Sequence, residues 1–170
     1  QATSGGLIPA MARVRLSCCI IAFNEADRLE RCIEAVRDIA DEIVVVDSGS
    51  TDGTVNLAQS LGAQVFQRAW DGYGPQKRFA EDCARFDWIL NLDADEVVTP
   101  ALANEIKTLL SIAQPPLPAY RIRMPTVFPG ATRPRLWAES HNYVRLYDRR
   151  KVRFRESLVH DTVDTKHEPV

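Results

Sequence analysis

The chain has 170 residues, 45% of them apolar and 26% charged, and a formal net charge of −2 at pH 7. That size and balance suit a soluble globular domain with a substantial core, and they tell against disorder, fibre and a general nucleic-acid binder, which needs a concentrated positive footprint. No apolar run approaches the roughly 18 residues of a membrane span. Cys18, Cys19, Cys32 and Cys83 show no C-x-x-C spacing and read as reduced core thiols, from which a cytoplasmic location is expected. The neighbours Cys18 and Cys19 should point to opposite faces of a strand.

Residues 1–10 lack periodicity and precede Met11, so they read as a tail or expression remnant. From Leu16 to Phe23 the sequence is apolar and predicts a strand. Asn24 is a good N-cap for a helix to about Arg37, with Leu29, Cys32, Ile33 and Val36 in one buried stripe. Ile43 to Val46 predicts a second strand that ends at Asp47. Turn chemistry over Ser48-Gly49-Ser50-Thr51-Asp52-Gly53 leads to a helix from Thr54 to Leu61, stopped by Gly62.

Ala63 to Gln67 is the third expected strand, and Pro75 opens a helix with Phe79, Cys83 and Phe86 as its apolar face. Asp87 to Leu92 is the fourth strand. Pro100 opens a helix to about Ile112, with Leu102, Ile106, Leu109 and Leu110 inward, ended by Pro115-Pro116-Leu117-Pro118. Past Pro118, Tyr120 to Met124 and Tyr143 to Tyr147 alternate apolar and basic residues, as antiparallel strands with one wet face would. The expected fold is α/β: a mostly parallel sheet with helices on both faces and a mixed, antiparallel second half. Residues 11–170 read as a single domain, although Thr165 to Val170 ends without a closing helix or strand signal and the chain could be a fragment of something longer.

Asp93-Ala94-Asp95-Glu96 follows the apolar run Trp88-Ile89-Leu90-Asn91-Leu92, so three acids arrive at the tip of a buried strand. In a parallel sheet this tip shares one edge with Asn24-Glu25, with Asp47-Ser48-Gly49 and with Gln67-Arg68, so acids distant in sequence can converge on one crevice. Asp47 could equally be a turn-former for the next helix. Neither G-x-x-x-x-G-K-[ST] nor G-x-G-x-x-G is present, which removes the P-loop and dinucleotide readings. The acids suit Mg²⁺ or Mn²⁺ held by one or two carboxylates together with substrate phosphates.

Cys19-Ile20-Ile21-Ala22-Phe23-Asn24-Glu25, Val45-Val46-Asp47-Ser48-Gly49-Ser50-Thr51-Asp52-Gly53-Thr54 and Trp88 through Glu96 together resemble the inverting family 2 glycosyltransferases of GT-A, Rossmann-like fold. The likeness covers about residues 15–112, which the resemblance makes the nucleotide-binding half; about 119–170 would form the acceptor side. Tyr73-Gly74-Pro75-Gln76-Lys77-Arg78-Phe79-Ala80, Val144-Arg145-Leu146-Tyr147 and Val159-His160 look like the branch that includes lipopolysaccharide-core β-1,4-glucosyltransferases.

The resemblance implies transfer of a sugar, glucose foremost, from a UDP-sugar to a lipopolysaccharide-core or other glycan or lipid-linked acceptor, with inversion. It places Asn24, Glu25, Asp47, Ser48, Gly49, Lys77 and Asp93 at the nucleotide and gives the metal to Asp93 and Asp95. Lys77 or Arg78 could assist the phosphates or merely be solvated. In the relatives Val-His is followed by Glu; here Asp161 stands there and is the expected catalytic base, with Glu139, Glu156 and Glu96 as competitors. His160 could neighbour metal or phosphate, or be structural. Two other readings remain: a non-catalytic nucleotide-sugar-binding or scaffold domain, and a sugar-nucleotide nucleotidyltransferase. The basic excess between Arg121 and Arg155 fits an anionic acceptor, peripheral membrane contact at the inner face of the cytoplasmic membrane, or a solvated sheet face.

Overall fold

A computed structural model describes residues 13–127, 131, 139–155, 162–165 and 168–170. In chain order the elements are β1 (Leu16–Ala22), α1 (Leu29–Val36), β2 (Glu42–Asp47), α2 (Thr54–Ser60), β3 (Gln64–Gln67), α3 (Tyr73–Cys83), β4 (Trp88–Asp93), α4 (Pro100–Leu110), β5 (Ala119–Pro125), β6 (Ser140–Asp148), β7 (Arg153–Phe154) and β8 (Val163–Asp164). Six strands form one sheet in the order β3-β2-β1-β4-β6-β5, and β7 pairs with β8. The first four are mutually parallel, while β6 runs antiparallel to both β4 and β5. This is the mostly parallel α/β arrangement with an antiparallel second half that the strand and helix pattern predicts.

Near-continuous apolar strands form the centre because both faces of the sheet are covered. On one face Cys18, Ile20, Val45 and Leu90 pack with Leu29, Cys32 and Ile33 of α1, Ala58 of α2, and Ile106 and Leu110 of α4. On the other, Cys19, Ile21, Val44, Val46 and Ile89 pack with Ala80 and Ala84 along α3 and with Phe154 of β7. Cys18 and Cys19 thus enter opposite cores, and all four cysteines are free thiols. Each fully buried Ile or Leu contributes about 1.5–3 kcal/mol. No helix among the described residues is long and apolar enough to cross a membrane.

Three local expectations are corrected. Asn24 does not cap α1, which starts five residues later at Leu29 with Arg28 in the cap position. Asn24 instead takes a left-handed conformation, φ 53°, and spends its side chain on the neighbouring loop. The buried face of α3 is not Phe79, Cys83 and Phe86 but Gly74, Gln76, Lys77, Ala80 and Glu81. Phe79 and Cys83 only pack at its margin, because the polar residues find ionic partners on the sheet. Finally, β6 has no uniform wet side: Arg145, Leu146 and Tyr147 are all buried, since this half of the strand lies between β4 and β5.

Candidate active site

The register fixes the site. Across β1, Ala22 pairs with Asp47 of β2 and Ile21 pairs with Asp93 of β4, so the two carboxylates flank the end of β1 on either side. Neighbouring strands lie about 4.8 Å apart, which puts the β2 and β4 tips roughly 10 Å from each other. The chain builds outward from β1 to β2 and β3 on one side and to β4 on the other, and the ends of strands at such a reversal form the ligand crevice of open α/β sheets.

On the β1 and β2 side the crevice wall is two loops tied together. Asn24 donates its backbone N–H to Ser50 Oγ at 2.8 Å and accepts from Thr51 N at 2.9 Å through Oδ1. Glu25 N donates to Thr54 Oγ1 at 2.9 Å, and Ala26 N to Asp52 Oδ2 at 3.3 Å. Asp47 is fully buried; its Oδ2 accepts from Gly49 N and Ser50 N at 2.9 and 3.0 Å, and its Oδ1 from Ser50 Oγ. The carboxylate therefore holds the turn, as the turn-forming reading of Asp47 requires. Gly49 sits at φ 95°, a conformation that costs a side-chain-bearing residue about 1–2 kcal/mol. Ser48 Oγ accepts from Gln76 Nε2 at 2.9 Å, which joins this wall to α3.

On the β4 side the carboxylates are matched by built-in cations. Lys77 is not solvated: its side chain has 0% exposure and its Nζ lies 2.9 Å from Asp93 Oδ1. Arg145 of β6 bonds Asp93 Oδ2 at 3.1 Å, Glu96 Oε1 at 2.8 Å and Asn91 Oδ1 at 3.1 Å. Glu96 Oε2 accepts from Asp93 N at 2.9 Å, closing the turn after the strand. Burial works to raise the Asp93 pKa, but Lys77 and Arg145 outweigh it and hold the group below the usual carboxylate range. Burial, with Asp93 adding to it and Arg145 opposing, pushes Glu96 up to about 7. Glu25 is also raised, chiefly by burial, against the pull of Arg28 at 2.8 Å.

Asp95 behaves differently. Its side chain is 56% exposed, with Arg28 Nη1 3.9 Å away. A cation at this tip would therefore meet one open carboxylate, Asp95, beside one that is already paired, Asp93. Among the described residues no group of three or more His, Cys, Asp or Glu could enclose a metal. The residues fit a Mg²⁺- or Mn²⁺-type ion only if the ligand brings most of the oxygens, which is how Mg²⁺ is bound at phosphate-transfer sites.

The structure thus brings Asn24, Glu25, Asp47, Ser48, Gly49, Lys77, Asp93 and Asp95 to one sheet edge. The expected base, Asp161, lies outside the described residues, as do Val159, His160 and Glu156. Glu96 is tied to Arg145 and to the backbone of Asp93, and Glu139 is an exposed residue next to His141. The sequence reading missed Arg145 as a site residue, since an Arg in an alternating strand looks solvated. It also missed Glu81, which is fully buried and accepts from Tyr147 OH at 2.7 Å, Arg153 Nε at 2.7 Å and Phe154 N at 3.0 Å. A cavity of about 630 Å³ bounded by Arg15, Phe86, Trp88 and Pro118 opens at the opposite edge of the sheet, away from these carboxylates. The crevice, not that cavity, carries the convergent acids and cations.

Residues 17–161 match the model of glycosyl transferase family 2, and the chain belongs to that family. It is 44% identical over 153 residues to an uncharacterized glycosyltransferase of Rickettsia bellii, an alignment covering 88% of this chain and 52% of the relative. It is 43% identical over 105 residues to the lipopolysaccharide core biosynthesis glycosyltransferase LpsC of Rhizobium meliloti, covering 58% of this chain and 38% of LpsC. The chain spans about half the length of the first of these relatives. Among solved structures, TarS 1-349 of S. aureus in complex with UDP-GlcNAc superposes with a TM-score of 0.50 at 20% identity, covering 56% of this chain and 31% of TarS, a likeness of fold.

Proposed function

We propose that this chain is the donor-binding part of an inverting, metal-dependent hexosyltransferase that moves a sugar, glucose foremost, from a UDP-sugar to a lipopolysaccharide-core or related envelope glycan. The observation that carries the reading is the placement of Asp47 and Asp93 on the strands either side of β1, in register with its last two residues, with exposed Asp95 next to charge-compensated Asp93. Family membership and the likeness to LpsC support the reaction class and the acceptor class.

In this reading residues 15–112 hold the nucleotide and 119–170 face the acceptor. Asn24, Glu25, Ser48 and Gly49 line the nucleoside side, and Asp47, the expected partner of the uridine, serves it by holding the Ser48-Gly49-Ser50 turn in shape. Asp93 and Asp95 are the metal pair, with Asp95 the more exposed of the two. A divalent cation there would offset the negative charge that builds on the leaving diphosphate. Lys77 keeps a positive charge beside Asp93, at the base of the crevice, where the same diphosphate would lie. Asp161 takes the proton of the acceptor hydroxyl as that oxygen attacks the anomeric carbon from the face opposite the diphosphate. A cytoplasmic location, with peripheral contact at the inner face of the membrane, goes with such an acceptor.

Thermal melts test the shared site. Mn²⁺ and UDP together should raise Tm by more than the sum of their separate effects, because each completes the binding site of the other. UDP release from UDP-glucose should follow on adding lipopolysaccharide-core acceptor. Additive or absent shifts would remove the common metal-diphosphate site.

A further inference from the structure

Arg149-Arg150-Lys151-Val152-Arg153-Phe154-Arg155 places five cations within seven residues of a chain whose net charge is −2. The fold turns this run into a concave wall, not a solvated sheet face. β6 ends at Asp148, whose backbone carbonyl accepts from Lys151 N at 2.9 Å and Val152 N at 3.1 Å, so the chain reverses direction there. Past that corner the residues alternate: Val152 and Phe154, each 1% exposed, enter the core, and Lys151, Arg153 and Arg155 fall on the other side.

Arg78, from the second turn of α3, joins Arg149, Arg150, Lys151, Arg153 and Arg155 around a hollow of about 350 Å³, at the small end of the range for ligand pockets. Among the described residues its only acidic wall is Asp164 of β8. The guanidinium groups are held in place from behind. Arg78 Nη1 donates to Phe154 O at 2.6 Å, and Arg149 Nη1 to Ala84 O at 2.9 Å. Arg153 Nε donates to the fully buried Glu81 at 2.7 Å, and Arg150 Nη2 to Asp148 at 2.7 Å. Neither Glu81 nor Asp148 lines the hollow, so these carboxylates orient the arginines without filling it. Planar forks fixed in this way match the oxygens of a phosphate, and little of their freedom is left to lose when it binds.

No exposed large apolar side chain of the described residues lines the hollow, which therefore lacks the anchors of a face that enters a bilayer. Its place in the chain says which anion it meets. Asp164 is three positions past Asp161, a stretch that spans at most about 11 Å, and Arg155 is six positions before it. We propose that the hollow holds a phosphate group carried by the acceptor, close to the hydroxyl that is glycosylated. The proposal rests on the reading of Asp161 as the base and of a lipopolysaccharide-core glycan as the acceptor.

Calorimetric titration of the chain with a de-acylated lipopolysaccharide-core oligosaccharide, before and after removal of its phosphates, tests it in EDTA, which keeps the donor tip free of metal. The phosphorylated form should bind about tenfold more tightly. Arg155→Gln combined with Lys151→Gln, both exposed positions, should abolish that preference and leave UDP binding with Mn²⁺ unchanged. Arg121→Gln combined with Arg123→Gln, equally exposed on β5, should keep the preference in full. An unchanged preference in the first variant, or the same loss in the second, would overturn the assignment. So would a first variant that loses only its sedimentation with phosphatidylglycerol vesicles, since the surface would then be a bilayer contact. If the unsubstituted chain binds UDP but the oligosaccharide in neither form, the acceptor class is wrong and the phosphate site falls with it. If it binds both forms equally, the acceptor stands and the phosphate site alone is wrong.

Discussion

Lys77 Nζ lies 2.9 Å from Asp93 Oδ1, linking the buried face of α3 to the tip of β4. An ammonium with 0% exposure is stable there because Asp93 neutralises it, and Asp93 in turn is shared with Arg145 from β6. Three elements far apart in sequence are thereby locked at the crevice. Breaking a buried pair costs more than the pair contributes, because the partner left behind keeps its charge without compensation.

Lys77→Met should therefore destabilise the fold by about 1–3 kcal/mol, at the lower end for a buried pair because the Asp93 side chain keeps 30% exposure. The Asp93 pKa is depressed in the folded state, so its stabilisation is present above the ordinary carboxylate range and is lost as pH falls through the folded value. In Lys77→Met that loss should begin at higher pH. Urea unfolding between pH 3 and 7 measures both effects, and an unchanged midpoint would contradict the pair.

Glu96 carries the opposite sign. Its folded pKa is raised to about 7, so its contribution is intact below the unfolded value of a glutamate and is lost as pH rises through about 7. Glu96→Gln cannot ionise. Its stability relative to the parent should improve between about pH 5 and 7, where keeping Glu96 protonated costs the parent, and level off above about 7, where the parent gains the charged contact to Arg145 that Gln cannot make. A difference that stays flat across that window would show that Glu96 titrates normally.

Asp95→Ala separates binding from folding. With its side chain 56% exposed, the residue should shift stability by less than about 0.5 kcal/mol. Mn²⁺-dependent UDP binding should fall sharply, and transfer in an active form of the protein by roughly 10²-fold or more. Asp93→Ala is the poorer test, since it also strands Lys77 and Arg145. Undiminished Mn²⁺-dependent binding in Asp95→Ala would rule out this carboxylate as a metal ligand.

Glu81→Ala should cost about 3–5 kcal/mol, because Tyr147 OH, Arg153 and Phe154 N all lose one acceptor in the interior between α3, β6 and β7. Chemical denaturation reads this directly. Glu81→Gln, which keeps an acceptor oxygen, should recover part of the loss.

The strands and helices through α4 could be read from the sequence because their signals are local: apolar runs in β1, β2 and β4, Pro100 opening α4, Gly62 ending α2. The convergence of Asn24, Asp47 and Asp93 also followed, since parallel strands place their C-terminal tips on one edge whatever the side chains do. The state of those side chains was not legible. Periodicity counts Lys77, Glu81 and Arg145 as polar and assigns them to water; an ion pair across 52 positions, Arg145 with Asp93, or a hydrogen bond across 66, Tyr147 to Glu81, leaves no mark in either local pattern. Sequence by itself determined which atoms could meet at the crevice. Only the tertiary structure decided which acids there are already neutralised and which one is left open, because a charge's environment depends on every element packed around it rather than on its neighbours along the chain.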